Sequence, residues 1–308
     1  MTTTASPATP AAPRRILCAI DLSDSSPIVL AHASAIGRAF GAKVKALHVF
    51  ADWMPPSDGS TYPHWILELP QARAAITEEL RRLVAPFGIG VHTAEGDAAT
   101  EVVRHADEWH ADLVVMGTHG RSGYDRLALG SVAEKVLRKA SCPVLTLPPG
   151  SAHSINDVSL QHILVPTDLS ACSNEALTTA VEIASHTHGS VTVLRVVESI
   201  DGDDDLATPG TFGDLRRKQV EVEARALHES LGPLSNGGAH IAQTVTVGRP
   251  YQEILRLARE RHIDLIVMGV QGRGQVELAL LGSTTNQVVR RATCPVLTVR
   301  PRENERRG

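Results

Sequence analysis

Short apolar runs and amphipathic stretches alternate along this chain in an order that predicts strand, helix, strand. Ile16 to Asp21 is an apolar run of the length of a buried parallel strand. Ser26 to Phe40 has helical spacing and is closed by Gly41, a residue suited to the left-handed position after a helix. Lys43 to Phe50 predicts the second strand. After a Pro/Asp/Gly-rich loop from Asp52 to Pro63, Ile76, Leu80, Leu83, Val84 and Phe87 recur on one helical face. Gly88 to Ala94 predicts a third strand, and Ala98 to His110 a third helix with Val102, Ala106 and Trp109 aligned. Ala111 to Leu147 then reads strand, glycine-rich loop, short helix and a strand led by Cys142-Pro143.

The pattern then starts again. Ile163-Leu164-Val165-Pro166-Thr167-Asp168-Leu169-Ser170 echoes Ile16 to Ser23. A helix follows with Leu177, Ala180, Val181 and Ala184 inward, then a strand from Ser190 to Glu198. Val220, Ala224, Leu227 and Leu231 mark the next helix, Ala239 to Val247 reads as a strand, and Pro250 suits a first helical turn. Ile263 to Val299 repeats the stretch Ala111 to Leu147 almost whole. Five strands alternating with helices in each half imply an α/β fold, a parallel sheet with helices on both faces, present twice. The expected division is a disordered segment at 1–13, a first domain at 14–148, a linker at 149–160, a second domain at 161–301 and a solvated tail at 302–308.

Composition removes several alternatives. A net charge of −4 with no basic block lacks the electrostatic footprint of a nucleic-acid binder. No apolar run reaches the roughly 18 residues needed to span a bilayer, and the first residues lack the charged start and apolar core of a secretory signal. The four cysteines, Cys18, Cys142, Cys172 and Cys294, read as small buried residues at equivalent places in the two halves, without a CxxC pair. A cytoplasmic protein that uses neither membrane nor nucleic acid is expected.

The chemistry concentrates in the loop after each fourth strand. Gly117-x2-Gly120-x9-Gly130-Ser131 recurs as Gly269-x2-Gly272-x9-Gly282-Ser283. A glycine-rich loop leading from a strand to a helix N-terminus can present amide N–H groups to phosphate oxygens. The glycines are expected to allow positive φ and close approach, and Ser131 and Ser283 to begin helices whose dipoles favour an anion. In such sheets the loops after strands 1 and 4 meet at the carboxyl ends, which brings in Asp21 and Asp168 as partners for ribose or adenine. Arg121, Arg126 and Arg273 are candidate phosphate partners, with solvated surface arginines as the plainer alternative.

This spacing, the aspartate closing strand 1, the Met-Gly start of the loop with Arg121 or Arg273, and the Cys-Pro-Val-Leu strand together resemble the universal stress protein family over nearly the whole chain, as two tandem copies. The resemblance implies Rossmann-like domains of the adenine nucleotide alpha hydrolase-like type, intramolecular pairing of the two domains, and a homodimer as a further expectation. It also implies ATP, with Mg²⁺, as ligand. In the first copy the implied contacts are Ala19, Ile20, Asp21, Val49, Met116, Gly117, Gly120, Arg121, Gly130, Ser131 and Val132. In the second they are Pro166, Thr167, Asp168, Val196, Met268, Gly269, Gly272, Arg273, Gly282, Ser283, Thr284 and Thr285. The role it implies is a nucleotide-dependent regulator of a stress response with an unknown protein partner. A slow ATPase on the same fold and a nucleotide-independent interaction module are the alternatives.

Several features have simpler explanations. Ser131-x-x-Glu134 reads as a capping box, which Asn286 breaks in the second copy. His186-x-His188 and the acidic run from Asp201 to Asp205 read as a helix end and a solvated loop rather than a metal site. No GxxxxGK[ST] motif and no repeated nucleophile–base pair is present, so no catalytic residue is expected. The copies are unequal. Thr167 and Thr285 face Ile20 and Ala133, so the second copy is expected to bind more tightly, each lost hydrogen bond being worth about 0.5–1.5 kcal/mol.

Overall fold

The computed structural model describes residues 13–50, 69–119, 129–149, 158–198, 212–232, 239–272 and 281–301. In the first half the elements run β1 (Arg15–Ala19), α1 (Ser26–Phe40), β2 (Lys43–Phe50), α2 (Leu69–Val84), β3 (Gly90–Glu95), α3 (Ala98–Glu108), β4 (Leu113–Gly117), α4 (Ser131–Lys139) and β5 (Val144–Leu147). The second half repeats them as β6 (His162–Thr167), α5 (Ala171–Thr187), β7 (Ser190–Glu198), α6 (Phe212–Leu231), β8 (His240–Gly248), α7 (Pro250–Glu260), β9 (Leu265–Gly269), α8 (Ser283–Arg291) and β10 (Val296–Val299). The predicted strand after the first helix is met at its stated residues in both halves. The helical stripe holds as well: Leu80 and Val84 are buried, and Ile76, Leu83 and Phe87 pack against the same core.

Alternation along each strand sends side chains to two cores, because successive residues point to opposite faces of a sheet. Ile16 and Cys18 join one core with α1, α2, α5 and α6 residues such as Leu30, Leu80, Ala176 and Leu227. Leu17 joins the other, with Val102, Val136, Ile254 and Val288 from α3, α4, α7 and α8. Helices therefore cover both faces, as expected.

The sheet itself goes beyond expectation. The two five-stranded halves are one ten-stranded sheet in the order β3-β2-β1-β4-β5-β10-β9-β6-β7-β8. Every pairing within a half is parallel, and β5 joins β10 antiparallel, with Leu145 opposite Leu297. Across this join the Thr146 hydroxyl donates to the Val296 carbonyl (3.1 Å) and the Thr298 hydroxyl to the Val144 carbonyl (3.2 Å). Both hydroxyls are sealed from water, at 0% and 1% exposure.

Duplication reaches into the backbone. Leu22 and Leu169, just after the two aspartates, both hold positive φ (63° and 62°), as do His110 and His262 (51° and 48°). Asp112 receives the amides of Arg14 and Arg15, and Asp264 those of Gln161 and His162, so the same carboxylate clamps the first strand of each half.

Some expectations are corrected. The first strand stops at Ala19, two residues short of Asp21, because the chain turns at Leu22. The third helix ends at Glu108, and the left-handed His110 prevents its extension. Gly88 caps the short 3₁₀ turn Ala85–Phe87 at φ 64°, so β3 begins only at Gly90. Cys142 and Cys294 occupy matching places, but Cys18 lies on β1 whereas Cys172 lies in the first turn of α5, so those two are not equivalent. Burial pushes the Cys142 and Cys294 thiols up to about 12, which leaves them as inert packing groups.

Two stability predictions follow from these contacts. Thr146→Val and Thr298→Val are each expected to cost about 1 kcal/mol, and about 2 together, in urea unfolding; an unchanged midpoint would contradict the role of the join. Asp97 caps α3 by accepting from the Thr100 amide (3.0 Å). The Thr100 hydroxyl and amide, then Lys135, hold its carboxyl down to about 2. A depressed folded value makes this contribution full above the ordinary carboxylate range and lost as pH falls through about 2. Asp97→Ala is expected to cost about 1 kcal/mol at neutral pH and little below a pH of about 2, by denaturant titration at both pH values.

Candidate functional site

Strand β1 pairs with β2 on one side and β4 on the other, and β6 likewise with β7 and β9. Strand order therefore reverses between β1 and β4, and between β6 and β9, and the loops leaving those strands diverge around a crevice. In the second half that crevice is a cleft of about 650 Å³. Pro166, Thr167 and Asp168 line it from the end of β6, Val196 from β7, and Met268, Gly269 and Gly272 from the end of β9. Gly282, Ser283, Thr284 and Thr285 line it from the start of α8. All the second-copy candidates among the described residues come together here.

Of the two reasons expected for the glycines, positive φ is absent. None of Gly117, Gly130, Gly269, Gly272 and Gly282 holds positive φ. Their role is close approach. A Cβ on Gly269 would meet the Cβ of Cys172 at 2.6 Å, so only glycine lets the start of α5 cross the end of β9. A Cβ on Gly272 would lie 2.7 Å from Asp168 Oδ2, so this glycine seats the aspartate against the second loop. Gly282 donates its amide to the Val270 carbonyl (2.8 Å), and a side chain there would press on that same oxygen at 3.2 Å. Gly130 repeats the arrangement against Thr118.

Helix α8 opens towards the cleft without a side-chain cap, with Gly282 at the N-cap position. Its first intrahelical bond runs from the Asn286 amide to the Gly282 carbonyl (2.8 Å), so the amides of Ser283 to Thr285 precede the ladder. Gly130 is likewise the N-cap of α4, and Ser131 is the first helical residue, which removes the expected capping box. Glu134 turns instead to Arg138 (2.7 Å). The Thr285 hydroxyl, 3% exposed, donates to the Gly269 carbonyl (2.8 Å) and ties the helix to the strand end. Thr167 donates its hydroxyl to Ser173 (3.1 Å) and accepts the Leu169 amide (3.0 Å), so it shapes the turn.

The first copy keeps the skeleton with different side chains. Ile20 and Met116 are buried, Ala19, Val49 and Val132 pack against the second core, and Ser131 is exposed. Asp21 Oδ1 accepts the Ser23 amide (3.0 Å), the Ser23 hydroxyl (2.6 Å) and the Ser26 hydroxyl (3.3 Å). In the second copy Asp168 Oδ1 accepts the Ser170 amide (3.0 Å), while the Ser170 hydroxyl caps α5 instead. Gly117 packs against Ser25, a Cβ there lying 3.1 Å from its hydroxyl. Gly120, Arg121, Arg126 and Arg273 lie outside the described residues, as does the acidic run from Asp201 to Asp205. Among the described residues no group of three His, Cys, Asp or Glu could hold a metal, which includes His186 and His188.

Sequence reasoning missed a charged pair in the cleft. Arg195, on β7, binds Glu223 of α6 at 2.8 Å and reaches the Thr167 carbonyl at 3.4 Å. His48 holds the matching place on β2 and bonds the Ile20 carbonyl (2.9 Å). The available signal was an arginine interrupting the apolar run of β7, since a charge at a buried strand position usually has a partner.

A single family model, the universal stress protein family, matches residues 13–148 and again 159–300. The chain belongs to the universal stress protein family. A universal stress protein of Mycolicibacterium smegmatis is 27% identical over 295 residues, covering 93% of this chain and 97% of that protein. One from Methanocaldococcus jannaschii is 36% identical over 140 residues, or 44% of this chain and 81% of its own length. The crystal structure of a universal stress protein from Archaeoglobus fulgidus superposes with a TM-score of 0.65 at 25% identity, covering 94% of this chain and 97% of the other. The tandem Rossmann-like arrangement is thus shared with other universal stress proteins along their whole length.

Close approach makes a testable demand. Gly269→Ala is expected to cost about 1–3 kcal/mol in urea unfolding, since Cys172 or its backbone must shift. A loss below about 0.5 kcal/mol would show that the crossing is not as tight as the geometry states.

Proposed function

We propose that this universal stress protein binds adenine nucleotide, with ATP carrying Mg²⁺ as ligand, and that occupancy regulates a partner in a stress response. The observation that carries the reading is the apposition of Asp168 and Gly272 beside the uncapped start of α8. It joins a carboxylate suited to ribose hydroxyls with amides suited to phosphate in one cleft, whose volume falls in the ordinary range for small ligands. Val196, Met268 and Ile254 supply apolar wall for a base. The metal would enter on the phosphates, since no three-ligand group is present among the described residues.

The second copy is the stronger candidate: its aspartate, glycines, Val196 and the start of α8 line one cleft, with Thr167 and Thr285 where the first copy has Ile20 and Ala133.

Calorimetric titration with Mg·ATP tests this. Gly282→Val is expected to abolish the tighter binding phase and Gly130→Val to leave it, with circular dichroism confirming that both variants are folded. Asp168→Ala is expected to weaken binding roughly tenfold, the worth of a charge-assisted hydrogen bond. Tighter residual binding in Gly282→Val than in Gly130→Val would overturn the ranking, and no binding by the unaltered chain would overturn the function.

A further inference from the structure

A second cleft, of about 900 Å³, lies between α7 and α8 of the second half and the Pro148–Pro149 segment of the first. Its wall carries Arg256, Arg259, Arg290 and Arg291 against a single carboxylate, Glu253. Arg256 is committed to Glu253 (2.7 Å) and Glu260 (2.6 Å). Arg290 reaches across the halves to Glu134 at 3.7 Å, because the matching position on its own helix is Asn286. Arg259 and Arg291 have no carboxylate partner among the described residues, and Arg291 is held over the Tyr251 ring at 5.4 Å.

One further atom of the wall points the same way. Arg290 Nε is buried without a hydrogen-bond partner among the described residues. A buried N–H with no acceptor costs free energy, and native structures rarely keep one unless an acceptor comes to it. Positive charge in excess and a donor without an acceptor call for an anion. Guanidinium forks match phosphate oxygens, and three arginines that are not internally saturated match a charge of three or more.

We propose that this cleft between the halves is a binding site for a compact oligophosphate, separate from the glycine-loop cleft. Arg259 and Arg291 supply the uncompensated charge, and Arg290 turns from Glu134 to the anion. His119 stands two residues after Gly117, where the chain leaves β4.

Calorimetry with inorganic tripolyphosphate on the full chain tests the site. One tripolyphosphate per chain is expected, with pyrophosphate weaker and orthophosphate weakest. Arg259→Glu with Arg291→Glu is expected to weaken it at least tenfold, and Arg259→Gln with Arg291→Gln less so; all four changes are at exposed positions that the fold tolerates. Gly282→Val is expected to leave it intact, since a side chain there presses only on Val270, Gln271 and Thr285, outside this cleft. Absence of binding, equal binding in the arginine variants, loss only in the glycine variant, or orthophosphate binding as tightly as tripolyphosphate would each overturn the proposal. Because the arginine pairs and Gly282→Val report on different clefts, failure here is distinguishable from failure of the nucleotide site.

Discussion

The antiparallel pairing of β5 with β10 is the constraint on which the rest of this molecule depends. A parallel sheet of five strands ends in an edge with unpaired amides and carbonyls, and an exposed edge invites association. Here each half supplies the cover for the other, and the join is sealed by two reciprocal threonine hydroxyls with no access to water. Because the two halves run in opposite directions across it, the carboxyl ends of their strands face opposite ends of one sheet. The two candidate nucleotide crevices are separated by construction. The same join brings α8 beside the first half, so that Arg290 meets Glu134 and an arginine-lined cleft forms between the repeats.

Within each half, packing distance rather than unusual torsion determines the site. Gly269 lets α5 cross β9 against Cys172, Gly272 lets Asp168 rest on the second loop, and Gly282 lets α8 begin against the Val270 carbonyl. Backbone strain is stored elsewhere, at Leu22 and Leu169, one residue beyond each aspartate. A bulky residue in the left-handed region is uncommon, and its presence twice at the same place fixes the direction in which Asp21 and Asp168 leave their strands.

Much of this was legible from residue order. Apolar runs of strand length, the helical stripe from Ile76 to Phe87 and the restart at Ile163 are consequences of alternating faces and of duplication, and both are written in local spacing. The coming together of Asp168 with Gly272 was legible because strand order obeys a topological rule. The ten-stranded sheet was not. Leu145 and Leu297 read as ordinary buried strand residues, and nothing in their neighbours says which edge they meet. The Arg195–Glu223 pair escaped for a similar reason, since its partners are 28 residues apart and come from different layers. Which of the two motives holds at the glycines was not legible, because a missing Cβ looks the same in sequence whether it frees a torsion or clears a contact.

The central claim is that the Asp168–Gly272 cleft holds an adenine nucleotide and that the Asp21 crevice holds one less tightly. Native mass spectrometry of the intact chain over a range of Mg·ATP concentrations measures this directly. The account predicts a one-nucleotide species at low concentration and a two-nucleotide species only at higher concentration, with Asp168→Ala moving the first to appear to roughly tenfold higher concentration. A chain that stays free of nucleotide throughout, or that gains both together in equal measure, would contradict it.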